Sequence, residues 1–109
     1  MTDLKLPEPI AAYFNADKRD GEAVARCFTT RAIVKDEGQT HFGLAAIKAW
    51  KTEAAAKYSY TSEPFAVAEK EGRYVVTSRL TGDFPGSPVD VHFAFRLERG
   101  KIASLEITP

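Results

Sequence analysis

The sequence predicts a single α+β domain in which three N-terminal helices pack on a strongly curved, mainly antiparallel sheet. Two observations support this fold class. Apolar residues recur at helical spacing up to Lys57, whereas from Tyr58 onward they alternate with polar residues as in strands. Helices followed by hairpin-linked strands are typical of an α+β domain. The chain has 109 residues, a length that fits one domain over residues 1–109.

The first predicted helix spans residues 4–18. Prolines near its start suit a first turn, where a missing backbone N–H costs little. Ile10, Tyr13 and Phe14 then follow helical spacing. We therefore expect these three side chains to face the interior.

A second helix is predicted to begin after Asp20, its expected N-cap, and to end at Phe28. Cys27 would lie on its buried face as a small packed hydrophobe. Short strands are expected over residues 32–36 and 39–42, joined by a turn that contains glycine.

A third helix is predicted to open near Gly43 and to end around Lys57. One of its faces is apolar, which indicates that this face is buried. That face is formed by Leu44, Ile47, Trp50 and Ala54.

Four longer strands complete the predicted sheet, over residues 58–69, 73–84, 89–98 and 101–108. Pro64 predicts a bend or an edge position for the first of them, because proline cannot donate to a sheet ladder. The third has the clearest two-residue alternation. Its apolar face consists of Val89, Val91, Phe93, Phe95 and Leu97. The apolar face expected for the last strand consists of Ala103, Leu105 and Ile107.

Charge and composition argue against several classes of function. Fifteen basic residues balance fifteen acidic ones without a basic run, so we expect no nucleic-acid partner. No apolar run approaches the ~20 residues of a membrane span, and the N-terminal residues do not resemble a secretory signal. The single Cys27 fits a reducing compartment, which predicts a cytoplasmic protein.

Neither a metal nor a cofactor is predicted. The two histidines occur in unrelated contexts, and the chain has no pair of cysteines with ligand spacing. A glycine-rich phosphate loop is also absent from the sequence.

Asp36 is the first candidate for a catalytic residue. It ends an apolar strand close to the start of an apolar helix, and a carboxylate in an apolar pocket suits general-base catalysis near neutral pH. The alternative is that Asp36 only starts a turn, where its side chain accepts local backbone N–H groups.

His41 and Tyr13 are the other catalytic candidates. His41 follows the turn after Asp36 and would form a proton shuttle if the two side chains met. Tyr13 would supply a hydroxyl donor. The alternatives are a solvated loop histidine and a core tyrosine.

Trp50 is the main candidate for binding substrate, as a wall of the pocket or as an indole donor, with core packing as the alternative. Further apolar residues would line the same pocket. These are Phe14, Phe28, Val34, Val91 and Phe93. His92 is assigned to the outer surface or to a dimer contact. Tyr58 and Tyr60 are predicted to share a strand face, with Arg79 on the neighbouring strand, and these three either bind a ligand or cover the outer face of the sheet.

Three segments resemble the NTF2-like (SnoaL-like) superfamily, a cone-shaped α+β fold that includes ketosteroid isomerase. They are YFNA, CFTTRAIVKDEG leading into GLAAIKAW, and HFAFRLERGKIASLEI. The resemblance implies a conical pocket and a homodimer packed through the outer face of the sheet. Asp36 falls at the position of the family's catalytic base. Ile10 and Val91 stand where ketosteroid isomerase has its oxyanion donors, so steroid isomerisation is not expected.

Within the same superfamily, Arg79 with Asp83 resembles the Asp–Arg pairing of epoxide hydrolases. Taken together, the sequence predicts a pocket for a small apolar or weakly polar ligand. If the protein is an enzyme, we expect isomerisation, dehydration or cyclisation through Asp36 without a cofactor. The alternatives are a non-catalytic binding or dimerisation module and a protein-binding adaptor, and the adaptor would need a large exposed apolar patch.

Overall fold

Helices and strands follow one another in the predicted order in the computed structural model, which describes residues 4–109. Residues 1–3, part of the predicted domain and of the N-terminal segment, lie outside the described residues. The helices are α1 (Glu8–Ala16), α2 (Gly21–Ala25) and α3 (Leu44–Lys57). The strands are β1 (Phe28–Asp36), β2 (Gln39–Phe42), β3 (Tyr60–Lys70), β4 (Arg73–Gly82), β5 (Val89–Glu98) and β6 (Lys101–Thr108).

The strands form a six-stranded curved sheet in the order β2-β1-β6-β5-β4-β3. β1 and β6 pair in parallel, and all other neighbours pair antiparallel. β3 is an edge strand whose register shifts between Pro64 and Ala66, which confirms the edge position predicted from the proline. The α+β fold class is therefore confirmed.

One hydrophobic core joins the helices to the sheet. Its centre is a group of aromatic rings from α1, β1 and β5, packed mostly edge to face at centroid separations between 5.1 and 6.2 Å. These rings belong to Tyr13, Phe14, Phe28, Phe93 and Phe95. The alternation predicted for β5 is confirmed by the burial of its apolar face.

The first two helices are shorter than predicted. α1 begins at Glu8 with Pro7 as its N-cap, and Pro9 lies in the first turn, where a missing backbone N–H costs little. α2 ends at Ala25, and Phe28 opens β1 by pairing with Ile102 instead of closing the helix. Cys27 lies between the two elements and is half-buried, with a thiol pKa raised by burial.

The long strands also differ from the prediction at their ends. β3 begins at Tyr60 and β4 ends at Gly82, two residues inside the predicted bounds in each case. In β6 the register shifts opposite Leu97, so Ile102 and Leu105 are buried whereas Ala103 is only half-buried. An irregularity of this kind reverses which alternate residues face the core.

α3 carries the residues that matter most for the site. Gly43 precedes it with φ +88, a left-handed conformation that favours glycine. Its buried face contains Ile47, Trp50 and Lys51. Gly21 lets α2 approach α3 closely, because a Cβ at that position would lie 2.7 Å from the Lys48 carbonyl oxygen. Within residues 4–109 no helix is long and apolar enough to span a membrane.

Candidate functional site

Asp36 is held by a contact that the sequence did not predict. It is the last residue of β1 and is half-buried, and its Oδ2 accepts a hydrogen bond from Trp50 Nε1 at 3.0 Å. The alternative that Asp36 accepts local backbone N–H groups is not what the structure shows within residues 4–109, where the indole is its side-chain partner. The carboxylate is therefore positioned by a helix distant in sequence.

His41 lies beside this pair. It sits on β2, opposite Val34 of β1, and its ring centre is 5.8 Å from that of Trp50 with the planes tilted by 30°. The fold therefore brings Asp36, His41 and Trp50 together, although His41 contacts the indole and forms no side-chain hydrogen bond to Asp36.

A buried ion pair involves Lys51, the residue that follows Trp50 on α3. Lys51 Nζ is 2.6 Å from Asp17 Oδ1, and the two side chains are only 8% and 9% exposed. Lys51 Nζ also donates to the Tyr60 hydroxyl at 3.1 Å and lies 4.6 Å from the centre of the Trp50 ring. Buried charges of opposite sign need this kind of pairing, since an isolated buried charge is very costly.

Sequence reasoning missed this ion pair, although a signal was present. Lys51 follows Ile47 by one helical turn, and Asp17 follows Tyr13 in the same way, so each charge lies at an apolar position of its helix. A charge in an apolar stripe predicts either a break in the stripe or a buried partner. Asp17 and Lys51 are partners of each other.

Tyr13 completes the group that we call the interior polar cluster, namely Tyr13, Asp17, Lys51 and Tyr60. Its side chain is fully buried, and its hydroxyl has no hydrogen-bond partner within residues 4–109. Burial raises the pKa of Tyr13 far above its ordinary value, against the lowering effect of the Lys51 ammonium, and Asp17 and Tyr60 add smaller raising effects. Tyr13 therefore remains a neutral hydroxyl donor at neutral pH.

The same surroundings keep Lys51 charged. Burial by itself lowers the pKa of Lys51, but Tyr13, Asp17 and Tyr60 outweigh this effect and raise the pKa above its ordinary value. The pKa of Tyr60 is raised as well, first by burial and then by Asp17, against the opposing effect of Lys51. The interior polar cluster thus presents an ammonium and a neutral phenol.

The residues predicted to bind substrate are all buried in the core. Among them, Phe14 also lines a surface cleft of about 220 Å³ between α1 and β3. The other residues of this cleft are Leu4, Leu6, Ala11, Asn15, Lys18, Ser62 and Pro64. A smaller cleft of about 180 Å³ lies against β3 and β4 at Pro64, Phe65 and Arg79 with Glu63. Asp36 lines neither of these two clefts.

The pairing of Arg79 with Asp83, predicted from the resemblance to epoxide hydrolases, is wrong. Arg79 donates to Asp90 through Nε at 2.9 Å, whereas Asp83 accepts from the Ser59 backbone N–H. His92 is exposed, as predicted, and pairs with the Thr77 hydroxyl at 3.1 Å.

Tyr58 and Tyr60 do not share a strand face. Tyr58 precedes β3, and its ring packs against Phe84 with a centroid separation of 6.1 Å. Tyr60 instead belongs to the interior polar cluster. Within residues 4–109 no three side chains of His, Cys, Asp or Glu are grouped as metal ligands.

The family model of the SnoaL-like domain matches residues 10–105 of the chain. Among solved structures, a candidate polyketide cyclase from Sinorhizobium meliloti is 38% identical. The alignment covers 94% of this chain and 95% of that one, with a TM-score of 0.89. No curated protein matches the sequence.

Two more distant structures show the fold alone. A protein of ketosteroid isomerase-like fold from Catenulispora acidiphila, solved with trimethylamine, is 18% identical and covers 96% of this chain and 87% of its own, with a TM-score of 0.85. SalBIII, an epoxide hydrolase/cyclase-like enzyme studied for pyran ring formation in salinomycin, is 20% identical. Its alignment covers 92% of this chain and 86% of SalBIII, with a TM-score of 0.76. The NTF2-like fold inferred from the sequence is thereby confirmed. Because the family model covers most of the chain, the protein belongs to the SnoaL-like domain family.

Proposed function

We propose that the protein binds a small carbonyl compound and catalyses its isomerisation, dehydration or cyclisation without a cofactor, with Asp36 as the general base. The observation that carries this proposal is the hydrogen bond from Trp50 Nε1 to Asp36 Oδ2. It occupies one carboxylate oxygen and fixes the orientation of the other. A positioned base of this kind is what proton abstraction beside a carbonyl group requires.

The proposed chemical step is general-base catalysis by Asp36. An oxygen of Asp36 takes a proton from the carbon next to the carbonyl group, and the electron pair of the C–H bond forms an enolate. The enolate then takes the proton back from Asp36 at another carbon, or expels a hydroxyl group that leaves as water with the proton from Asp36, or attacks a second carbonyl group, whose oxygen takes that proton. These three outcomes correspond to isomerisation, dehydration and cyclisation. His41, in contact with the Trp50 ring, would shape the entrance to Asp36.

The relatives support this class of reaction. The Sinorhizobium meliloti protein is a candidate polyketide cyclase, and polyketides carry the activated C–H bonds that such a base removes. SalBIII supports cyclisation on the same fold, by analogy of fold only. We also propose that the protein acts in the cytoplasm as a homodimer, which size-exclusion chromatography with light scattering would test for its oligomeric state.

A non-catalytic ligand-binding module is the second candidate. It is favoured by one observation, namely that Asp36 does not line the cleft between α1 and β3. An adaptor is less well supported, because the large exposed hydrophobic residues of the described chain, Phe42 and Phe65, lie on strands at opposite edges of the sheet.

Hydrogen–deuterium exchange separates these functions. Aryl ketones and β-diketones are incubated with the protein in D₂O, and loss of the proton signal beside the carbonyl group is followed by NMR. We expect the wild type to catalyse this exchange and Asp36→Asn to catalyse it at least about 10²-fold more slowly. The asparagine removes the base, but its side-chain oxygen can still accept the hydrogen bond from Trp50.

Glu37→Gln is the matched control, because it removes a neighbouring exposed carboxylate that lies outside the Trp50 contact. This variant should catalyse proton exchange in the ketone at the wild-type rate. Equal exchange in Asp36→Asn and wild type would refute the role of Asp36, and binding without exchange would favour the non-catalytic module.

A further inference from the structure

The cleft between α1 and β3 combines an apolar lining with a few polar groups. Its apolar side chains come from the segment before α1, from α1 and from β3, and are Leu4, Leu6, Ala11, Phe14 and Pro64. Its polar side chains are Asn15, Lys18 and Ser62. A mostly apolar lining with a small number of polar groups is typical of sites that bind small molecules.

The polar groups contributed by α1 lie towards one end of the cleft. Ala11, Asn15 and Lys18 recur at helical spacing, which places them along one side of α1 and of the turn that follows it. Asn15 and Lys18 are exposed, and Lys18 belongs to none of the ion pairs between described residues. Both side chains can therefore donate hydrogen bonds to a group in the cleft.

The charge of the cleft is positive. Lys18 is the one charged side chain among the described residues that line it. The carboxylates adjacent in sequence to the polar lining residues are directed elsewhere. Asp17 belongs to the buried ion pair, and Glu63 points to the opposite face of β3, where it lines the smaller cleft with Arg79. An anion in the cleft would therefore meet a cation.

The size of the cleft fits one small apolar group. Its volume is about 220 Å³, and an apolar cavity of about 150 Å³ is enough to hold a benzene ring. Phe14, which lines the cleft, is only 6% exposed and packs edge to face with Phe93 at a centroid separation of 5.2 Å. A ring of the ligand would thus extend the aromatic packing of the core.

We propose that this cleft binds a small carboxylate whose apolar body is about one ring in size. The apolar body lies against Ala11 and Phe14, and the carboxylate accepts hydrogen bonds from the Lys18 ammonium and the Asn15 amide. A carboxylate fits better than a phosphate monoester, because the latter carries about two negative charges and only one cation lines the described cleft. The inference does not depend on Asp36 acting as a base.

Phenylacetate and its neutral amide test the inference. Titration followed by ¹H–¹⁵N NMR should give saturable shifts of the backbone signals of Ala11, Asn15 and Ser62, with a dissociation constant of about 1 mM or lower. Phenylacetamide has the same apolar body without the charge, and should bind about threefold more weakly. The indole N–H signal of Trp50, the only tryptophan of the chain, should not shift. Shifts confined to that indole would place the ligand beside Asp36 and overturn the inference.

Two variants test the charge and the space separately. Lys18→Gln should weaken the binding of phenylacetate about threefold and leave that of phenylacetamide unchanged, because it removes only the cation. Ala11→Leu places a larger side chain in the cleft and should weaken both ligands by about tenfold. Wild-type affinity for phenylacetate in both variants, or no binding by the wild type at millimolar concentrations, would refute the site.

Lys5→Gln is the matched control, because it removes an exposed ammonium from the segment before α1 at a position that does not line the cleft. It should bind both ligands with wild-type affinity. A loss for phenylacetate equal to that in Lys18→Gln would show attraction by the general positive charge of this region, which also contradicts the inference. Thermal melts check that each variant is folded.

The cleft and the Asp36 site are tested independently. Asp36→Asn should bind phenylacetate with wild-type affinity, because Asp36 does not line the cleft. A loss of binding in this variant would place the ligand at the base and overturn the inference. Normal binding together with full proton exchange in Asp36→Asn would refute the base and leave the cleft site standing.

Discussion

The indole N–H of Trp50 donates a hydrogen bond to the carboxylate of Asp36 at 3.0 Å, across 14 residues of sequence. This contact joins the end of β1 to the middle of α3. It places the candidate base against a side chain whose ring also lies 4.6 Å from the Lys51 ammonium. Trp50 therefore contacts both the Asp36 carboxylate and the Lys51 ammonium.

Trp50→Phe should destabilise the protein by about 1–2 kcal/mol, because it removes a hydrogen bond to a charged group while keeping most of the ring packing. Urea denaturation measures the change in the free energy of unfolding. A double-mutant cycle with Asp36→Ala isolates the contact, and we expect a coupling energy of about 1 kcal/mol. Purely additive effects of the two substitutions would show that the contact contributes nothing to stability.

Lys51→Met should destabilise the protein by about 3–5 kcal/mol, because it leaves the Asp17 carboxylate buried without its cation. Adding Asp17→Asn removes the unpaired charge and should recover most of this loss. Chemical denaturation of the single and double variants provides the comparison. If the double variant were as unstable as Lys51→Met, lost packing and not the buried charge would explain the effect.

Stability should fall at alkaline pH. The pKa of Lys51 is raised in the folded state, so its stabilising contribution is complete below its ordinary value of 10.5 and is lost as the pH rises above it. The raised pKa of Tyr13 acts in the same direction, because the unfolded tyrosine releases its proton near 10.0 while the folded one keeps it.

Thermal melts between pH 8 and 11, with tyrosinate absorbance as a second signal, measure this dependence. We expect the unfolding temperature to fall mainly above pH 10, and the ionisation of Tyr13 to accompany unfolding. Tyr13→Phe should show a shallower alkaline decline than the wild type. An identical decline in both proteins would exclude Tyr13 as a source of the pH dependence.

Gly21→Ala should destabilise the protein by about 1–3 kcal/mol, because the added Cβ would lie 2.6 Å from the Thr52 hydroxyl and 2.7 Å from the Lys48 carbonyl oxygen. Relief requires α2 and α3 to separate. Thr52→Ala in the same chain should restore part of the loss, because it removes the hydroxyl contact while the Lys48 carbonyl oxygen and the Thr52 backbone nitrogen, at 3.3 Å, still oppose the added Cβ. Stability of Gly21→Ala equal to wild type in urea would show that the two helices separate freely.

Much of the fold could be predicted from local patterns. The alternation from Val89 to Leu97 predicted β5 correctly, and Asp20 caps α2 by accepting from the Ala23 N–H at 2.8 Å. Predictions failed where pairing between strands overrides local preference. Phe28 pairs with Ile102 in the sheet and so leaves the helix to which its apolar spacing assigned it.

Short-range periodicity and motifs were enough to predict the α+β class, the family resemblance and the candidacy of Asp36. The partners of the polar side chains, in contrast, depend on how distant elements pack together. Trp50 meets Asp36, and Lys51 meets Asp17, across elements far apart in the chain. Local spacing shows which face of an element is buried, but it carries no information about which distant polar group lies opposite, because that depends on how the faces pack together.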